Sequence, residues 1–296
     1  MTADALTPTD VVTAPGLYDG MPDHVYLSDP VPDGSLSASG ARRLLPPYCP
    51  AIFKWDLDNG GRPDTRAFDF GHAAHSLVLG VGAEIVTVIA DDWRTKAAKE
   101  QAAEARAAGK VPLLAAEVAQ VEGMAQAILR HPIAAELFDP EHGKPEQSAF
   151  WQDEQHGVWR RARFDWLPEV VDGRLIIVDY KSTASAEPGN VARSFAKYGY
   201  AQQAAWYTDA AHALGLADEV GFLFVFQEKT APYLVTVVQP DQEALAVGRA
   251  LNDRALEVYA ECRATGTWPS YTSEIQTVSL PAWAVRDFQE LILNEQ

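Results

Sequence analysis

Apolar and polar positions keep no period over residues 1–34, where Pro, Asp and Thr recur, and this stretch reads as a loosely ordered arm ending at Asp33-Gly34. Ser37 has the chemistry of a helix N-cap. The segment after it reads as helical until Pro46-Pro47, and a short second helix follows the Tyr48-Cys49-Pro50 break. The spacing then predicts a helix over 64–79 stopped at Gly80, a strand over 84–90, a polar helix over 93–108 ending at Gly109 and a more apolar helix over about 112–130. From Gln147 the rhythm shortens to that of strands. Phe150, Trp151, Val158 and Trp159 lead into Arg161-Ala162-Arg163-Phe164-Asp165-Trp166, and after Asp172-Gly173 comes Leu175-Ile176-Ile177-Val178-Asp179. A helix over 191–214, strands over 219–227 and 233–239, and a long helix over 241–265 complete the pattern, while the stretch after Trp268-Pro269 takes no clear period. No repeat and no long linker interrupts it. The economical organisation is the arm, one α/β domain over 35–268 with a helical N-terminal part, and a tail over 269–296.

Composition narrows the chemistry. The 296 residues carry a net charge of −17, which argues against a sequence-blind DNA coat but leaves room for a local basic channel. Cys49 and Cys262 are the two cysteines, too few for a disulfide framework or for a four-cysteine zinc or iron–sulfur site, so any metal is held by oxygen and nitrogen. No apolar run is long enough for a membrane span, and the first thirty residues lack the basic start and apolar stretch of an export signal; a cytoplasmic protein is expected.

The chemistry concentrates at the end of one strand. Asp179 and Lys181 bracket Tyr180, and the two-residue period of a strand points both side chains to one face. The run 175–178 is apolar without alternation, as in a central strand covered on both sides. Asp165 lies fourteen residues earlier, and a three-residue loop at Val171-Asp172-Gly173 would set it opposite Asp179, although Pro168 complicates that register. Two adjacent carboxylates repel unless a cation lies between them, and hard oxygen ligands favour Mg²⁺ or Mn²⁺. Lys181 would then orient or deprotonate an attacking water.

Asp165 followed by Asp179-Tyr180-Lys181 resembles the signature of PD-(D/E)-x-K nucleases. Phe70-Gly71-His72-Ala73-Ala74-His75 resembles the G-x-x-x-H helix of their RecB-like group, and Tyr200-Ala201-Gln202-Gln203-Ala204-Ala205-Trp206-Tyr207 resembles its Y-x-x-Q-x-x-x-Y helix. With Leu36-Ser37-Ala38-Ser39 and the Pro50 region, the order of motifs over about 36–265 is similar to the nuclease domain of exonuclease VIII, the RecE-like proteins of phages and prophages. The resemblance implies a restriction-endonuclease-like core, a central mixed sheet flanked by helices, with helical N-terminal additions. It implies catalytic roles for Asp165, Asp179, Lys181, Gln203 and Tyr207, and metal ligation by His75, Asp165, Asp179 and Tyr180. Mg²⁺-dependent 5′→3′ digestion of linear double-stranded DNA is the implied activity, with Mn²⁺ able to substitute, in a homo-oligomer that works with a single-strand annealing protein in recombination. Iron–sulfur branches of the group are disfavoured by the cysteine count, and the acid of D-x-K is Asp here where Glu is frequent.

Each residue also has a plainer role open to it. Asp179 and Lys181 alone are a common surface ion pair. His72, one turn before His75, competes for the ligand role, and Glu146 is a further acid without an assigned place. Gln203 and Tyr207, four apart, could simply pack. Arg161 and Arg163 share strand parity with Asp165 and, with Arg42, Arg43, Arg193 and Lys197, are candidate DNA-phosphate contacts, while Trp151, Trp159 and Trp166 fit a core. No H-E-x-x-H, Walker-type loop, dinucleotide fingerprint or G-x-S-x-G elbow occurs. A non-catalytic DNA-binding scaffold, or a nuclease acting on single strands or internally, stays open as an alternative.

Overall fold

The computed structural model describes residues 11–60 and 66–294; expectations for residues 1–10, 61–65 and 295–296 lie outside the described residues. The N-terminal part runs β1 (Gly16–Tyr18), α1 (Asp23–Leu27), β2 (Ser35–Ser37), α2 (Ala38–Leu44), α3 (Pro50–Asp58) and α4 (Arg66–Leu79). Next come β3 (Ile85–Val88), α5 (Lys96–Ala107), β4 (Val111–Leu114), α6 (Ala115–Arg130) and α7 (Pro132–Leu137). The strand-rich half is β5 (Gly143–Asp153), β6 (Val158–Pro168), β7 (Arg174–Thr183), α8 (Pro188–Tyr198), α9 (Tyr200–Ala213), β8 (Glu219–Glu228) and β9 (Val235–Val238), followed by α10 (Gln242–Thr265) and α11 (Ala282–Asn294).

Seven strands form one mixed sheet in the order β1-β5-β6-β7-β8-β9, with β2 parallel to β6 off that path, and β3 pairs with β4 in a small parallel sheet. β5, β6 and β7 are joined as antiparallel hairpins, whereas β7 and β8 are parallel and need the crossover that α8 and α9 supply. Two apolar layers cover the sheet. Ile177, Phe222 and Phe224 pack with Trp206 of α9 and Leu256 of α10 on one side; Val178, Tyr180 and Val225 pack with Ala74 of α4 and Met124 of α6 on the other. The central position of β7 explains its unbroken apolar run, and the mixed sheet flanked by helices is the expected fold class.

Four local expectations are corrected. Residues 11–34 do not trail as an arm: β1 pairs antiparallel with β5, and Val12 and Val31 are buried against Phe150. Three residues of that stretch suffice for an edge strand, too short to leave a period. Residues 111–114 form β4 before the helix begins, because Val111 and Leu113 have β3 to pair with. The hairpin between β6 and β7 turns on two residues, Asp172 and Gly173, both with positive φ, rather than three. The helix expected over 191–214 breaks at Gly199, whose φ of 69° is left-handed and lets α9 leave at a new angle from α8.

Candidate active site

The site is a seam between β6 and β7. Pairing of Trp166 with Val178, continued by one residue, brings Asp165 level with Asp179. Phe164 and Trp166 would share one face of a regular strand, yet they belong to opposite apolar layers, so β6 rotates at Asp165. The rotation turns the Asp165 carboxylate into the ladder, where its Oδ2 accepts the Tyr180 backbone N–H at 2.9 Å. On the other side of β6, Pro145 faces Trp166 and Gln147 faces Phe164, so Glu146 stands across from Asp165. Three acids from three neighbouring strands thus stand in one row.

Two helices close on that row. His75 of α4 reaches Asp165 Oδ2 through Nε2 at 2.9 Å and Glu146 Oε1 through Nδ1 at 3.5 Å. From α9, the Gln203 amide donates to Asp179 Oδ1 at 2.5 Å. The Lys181 ammonium is ion-paired with Asp179 Oδ2 and lies 5.6 Å from the centre of the Tyr200 ring.

These groups tune one another. Burial, then the Asp165 charge, pushes the Asp179 carboxyl up to about 7 despite Lys181. Burial works against a charged His75 ring, but Asp165 and Glu146 raise it to about 10. Burial likewise opposes the Asp165 charge, yet His75, Lys181 and the Tyr180 N–H hold its carboxyl below the usual range. Lys181, also opposed by burial, is raised by Asp179 and Asp165 and remains an ammonium.

A hard divalent ion fits this donor set. Asp179 is fully buried, and its Oδ2 accepts no well-directed hydrogen bond although Lys181 stands beside it. Lys181 balances one of the two negative charges, and the repulsion from Asp165 that lifts the Asp179 carboxyl is what a further cation between them would relieve. No ready-made cage of three acid or imidazole ligands occurs among the described residues. The His75 proton and the Lys181 ammonium now balance the carboxylates, so ligation by His75, Asp165 and Asp179 would require His75 to give up its proton.

Other expected residues lie elsewhere. Tyr180 brings its main-chain N–H to Asp165 and packs its ring edge-on against His75, 5.5 Å between centres, while its phenol points away and donates to Gln227 Oε1 at 2.6 Å. Tyr207 packs edge-on against Phe164 and Phe222 beneath the carboxylates and is bonded to neither. Each of the four arginines already has a partner within the fold. Arg161 pairs with Asp29 at 2.5 Å, Arg163 with Asp23 at 2.5 Å, Arg42 donates to the Lys197 carbonyl at 2.5 Å, and Arg43 pairs with Asp56. Glu146 had a signal in the sequence: the tight hairpin at Gly157 fixes the β5–β6 register and thereby sets residue 146 across from 165.

A mixed sheet whose central hairpin opens around one acid, with a second acid and a lysine two positions apart on the next strand, defines the class of PD-(D/E)-x-K nuclease folds. The chain belongs to the family described as PDDEXK-like domain of unknown function (DUF3799), whose model matches residues 37–281. No curated protein matches it. A crystal structure from Eubacterium rectale, of a protein provisionally named an exonuclease, is 14% identical, covers 86% of this chain and 93% of its own, and superposes with a TM-score of 0.57. An alkaline exonuclease from Laribacter hongkongensis is 15% identical over 65% of this chain and 90% of its own, with a TM-score of 0.26. The first shares the fold. No helix of the described residues is long and apolar enough to cross a membrane.

Proposed function

We propose that this protein is a divalent-metal-dependent deoxyribonuclease that hydrolyses phosphodiesters of linear double-stranded DNA from the 5′ end, with Mg²⁺ as cofactor and Mn²⁺ able to substitute. The observation that carries the reading is the convergence of Asp165 and Asp179 on one seam beside the Lys181 ammonium, close enough that the Asp165 charge lifts the Asp179 carboxyl. His75, Asp165 and Asp179 would hold the ion, which when bound supplies Lewis acidity toward a phosphoryl oxygen. Gln203 fixes the rotation of the Asp179 carboxylate through Oδ1 and keeps Oδ2 turned to the seam. As an ammonium, Lys181 orients the attacking water and offsets charge on the phosphoryl oxygens; it is not set to remove a proton. The exonucleolytic polarity, the homo-oligomer and the annealing-protein partner rest on the resemblance to exonuclease VIII.

The purified protein incubated with Mg²⁺ should degrade linear duplex DNA and spare closed circles, and Lys181→Ala should not. Intact linear DNA in Mg²⁺ and in Mn²⁺ would remove the reading; cutting of circles would keep the nuclease and discard the exonuclease.

A further inference from the structure

Beyond Lys181, where β7 ends and α8 begins, lies a cavity of about 420 Å³. Its wall includes Ser182, Thr183, Arg193, Ser194, Lys197 and Lys229, and no acidic residue. In a chain with a net charge of −17, three cations in one cavity wall that holds no carboxylate are a marked local exception, although Glu187 at the start of α8 acts on Arg193 from outside the wall. Among the described residues, Arg193, Lys197 and Lys229 form no salt bridge, and the Ser182 and Ser194 hydroxyls have no hydrogen-bond partner. Arg193 and Lys197 are one turn apart on α8, so both point from one helix face. Asn190 accepts from Arg193 Nη2 at 2.8 Å and donates to Ser185 Oγ at 3.1 Å, which holds the guanidinium at the rim. The cavity is joined to the site through Lys181: Ser182 follows it in β7, and Tyr200, which carries the Lys181 ammonium over its ring, is part of the wall.

Clustered cations with free hydroxyl donors are the chemistry of a phosphate seat. The arginines flagged by strand parity, Arg161 and Arg163, are by contrast already paired with Asp29 and Asp23. We infer that this cavity binds a phosphate group and, on the nuclease reading above, that it holds a phosphate of the DNA strand entering the site. The shared ligand is a phosphate oxygen cluster; its source is either the terminal 5′-phosphate or an internal phosphodiester.

Fluorescence anisotropy in Ca²⁺, with short duplexes bearing a 5′-phosphate or a 5′-hydroxyl at several salt concentrations, tests this. The full-length R193Q/K197Q/K229Q variant should bind at least about tenfold more weakly, with a salt slope shallower by roughly one for each phosphate no longer neutralised. All three positions are at the surface or partly exposed, and R94Q/K96Q/K99Q, with the same charge change on the remote β3–α5 side, should bind as the wild type does. A loss confined to the 5′-phosphorylated duplex assigns the terminal phosphate; an equal loss on both duplexes assigns a phosphodiester. Equal affinities for the two triple variants would overturn the inference. Inorganic phosphate separates it from the nuclease reading: it should raise the Tm of the wild type and not of R193Q/K197Q/K229Q, even if no DNA is cut. No phosphate effect on either protein, with no DNA binding, overturns the cavity as well.

Discussion

Two clusters of buried charge are built on the same hairpin sheet, and they answer the same problem in opposite ways. Arg160 of β6 lies between the indoles of Trp206 and Trp151, at 3.9 and 4.8 Å from their centres, with Asp153 at 3.6 Å and Asp209 at 3.7 Å. Its Nε and Nη2 form no hydrogen bond, so the cluster leaves donors unmet. The aromatic faces offset that deficit and seal the group from solvent. At the β6–β7 seam the buried charge is a carboxylate, Asp179, whose Oδ2 is paired with the Lys181 ammonium, and a polar, cation-lined cavity lies beyond that lysine. A cation enclosed by indoles and acids holds a fold together; two facing carboxylates with one ammonium, near a basic cavity, can take a further cation and a substrate.

The sharpest way to break that contrast is to truncate one cation in each cluster. Arg160→Ala should destabilise the protein by roughly 1–3 kcal/mol, because the packing of the guanidinium on Trp151 and Trp206 is lost and the half-buried Asp153 and Asp209 keep only His156 and Arg249 as partners. The folded fraction should still cut DNA. Denaturant melts read with activity at matched folded fractions check this, and a fully active, undiminished Arg160→Ala would erase the distinction. Lys181→Ala should part from it in activity: at matched folded fraction kcat should fall by about 10²–10³-fold, the scale of losing one donor to developing charge, although leaving the buried Asp179 without its ammonium costs stability as well.

The pH response sharpens the same comparison, since the carboxyl lifted into the neutral range, Asp179, lies at the seam. Asp179, raised from 3.8 to about 7, adds an unfavourable buried charge as pH climbs through that interval. His75, raised from 6.5 to about 10, contributes stability that is complete below 6.5 and lost as pH rises through 10. Both act in one direction, so without metal the protein should become less stable from pH 5 to pH 9. Adding Mg²⁺ should flatten the decline, and binding should release a proton from His75 and, near pH 7, part of one from Asp179, so apparent metal affinity rises with pH. Calorimetric titrations in two buffers of different ionisation heat measure that release. Zero protons released would show that His75 does not join the metal.

Much of this was legible in the sequence, and the parts that were not share a cause. The apolar run 175–178 announces a central strand, and the D-x-K spacing puts Asp179 and Lys181 together at its end. The seam itself is tertiary: the rotation of β6 at Asp165 is visible only in the division of Phe164 and Trp166 between layers. Arginine parity on β6 was real, but it could not reveal that Asp23 and Asp29, in a stretch that looks like a loose arm, would fold back to neutralise Arg163 and Arg161. Local period records which face a side chain takes, not which partner arrives there from 140 residues away.

The smallest effect is the most local one. Gly199 ends α8 with φ of 69° and ψ of 35°, and the next residue begins the helix that delivers Gln203 to Asp179. A residue with a Cβ costs about 1–2 kcal/mol in that conformation, and Asn, whose short polar side chain accepts it, costs less. A Cβ would also meet the Arg42 side chain, whose Nη2 is bonded to the Lys197 carbonyl. Gly199→Ala should therefore lower Tm by roughly 2–4 °C per kcal/mol lost and reduce kcat by less than Lys181→Ala does. Gly199→Asn should recover part of both, because the backbone angle is then met. If Asn is no better than Ala, crowding against Arg42 outweighs the left-handed angle, and the break between the two helices is held by side-chain packing instead of by the glycine.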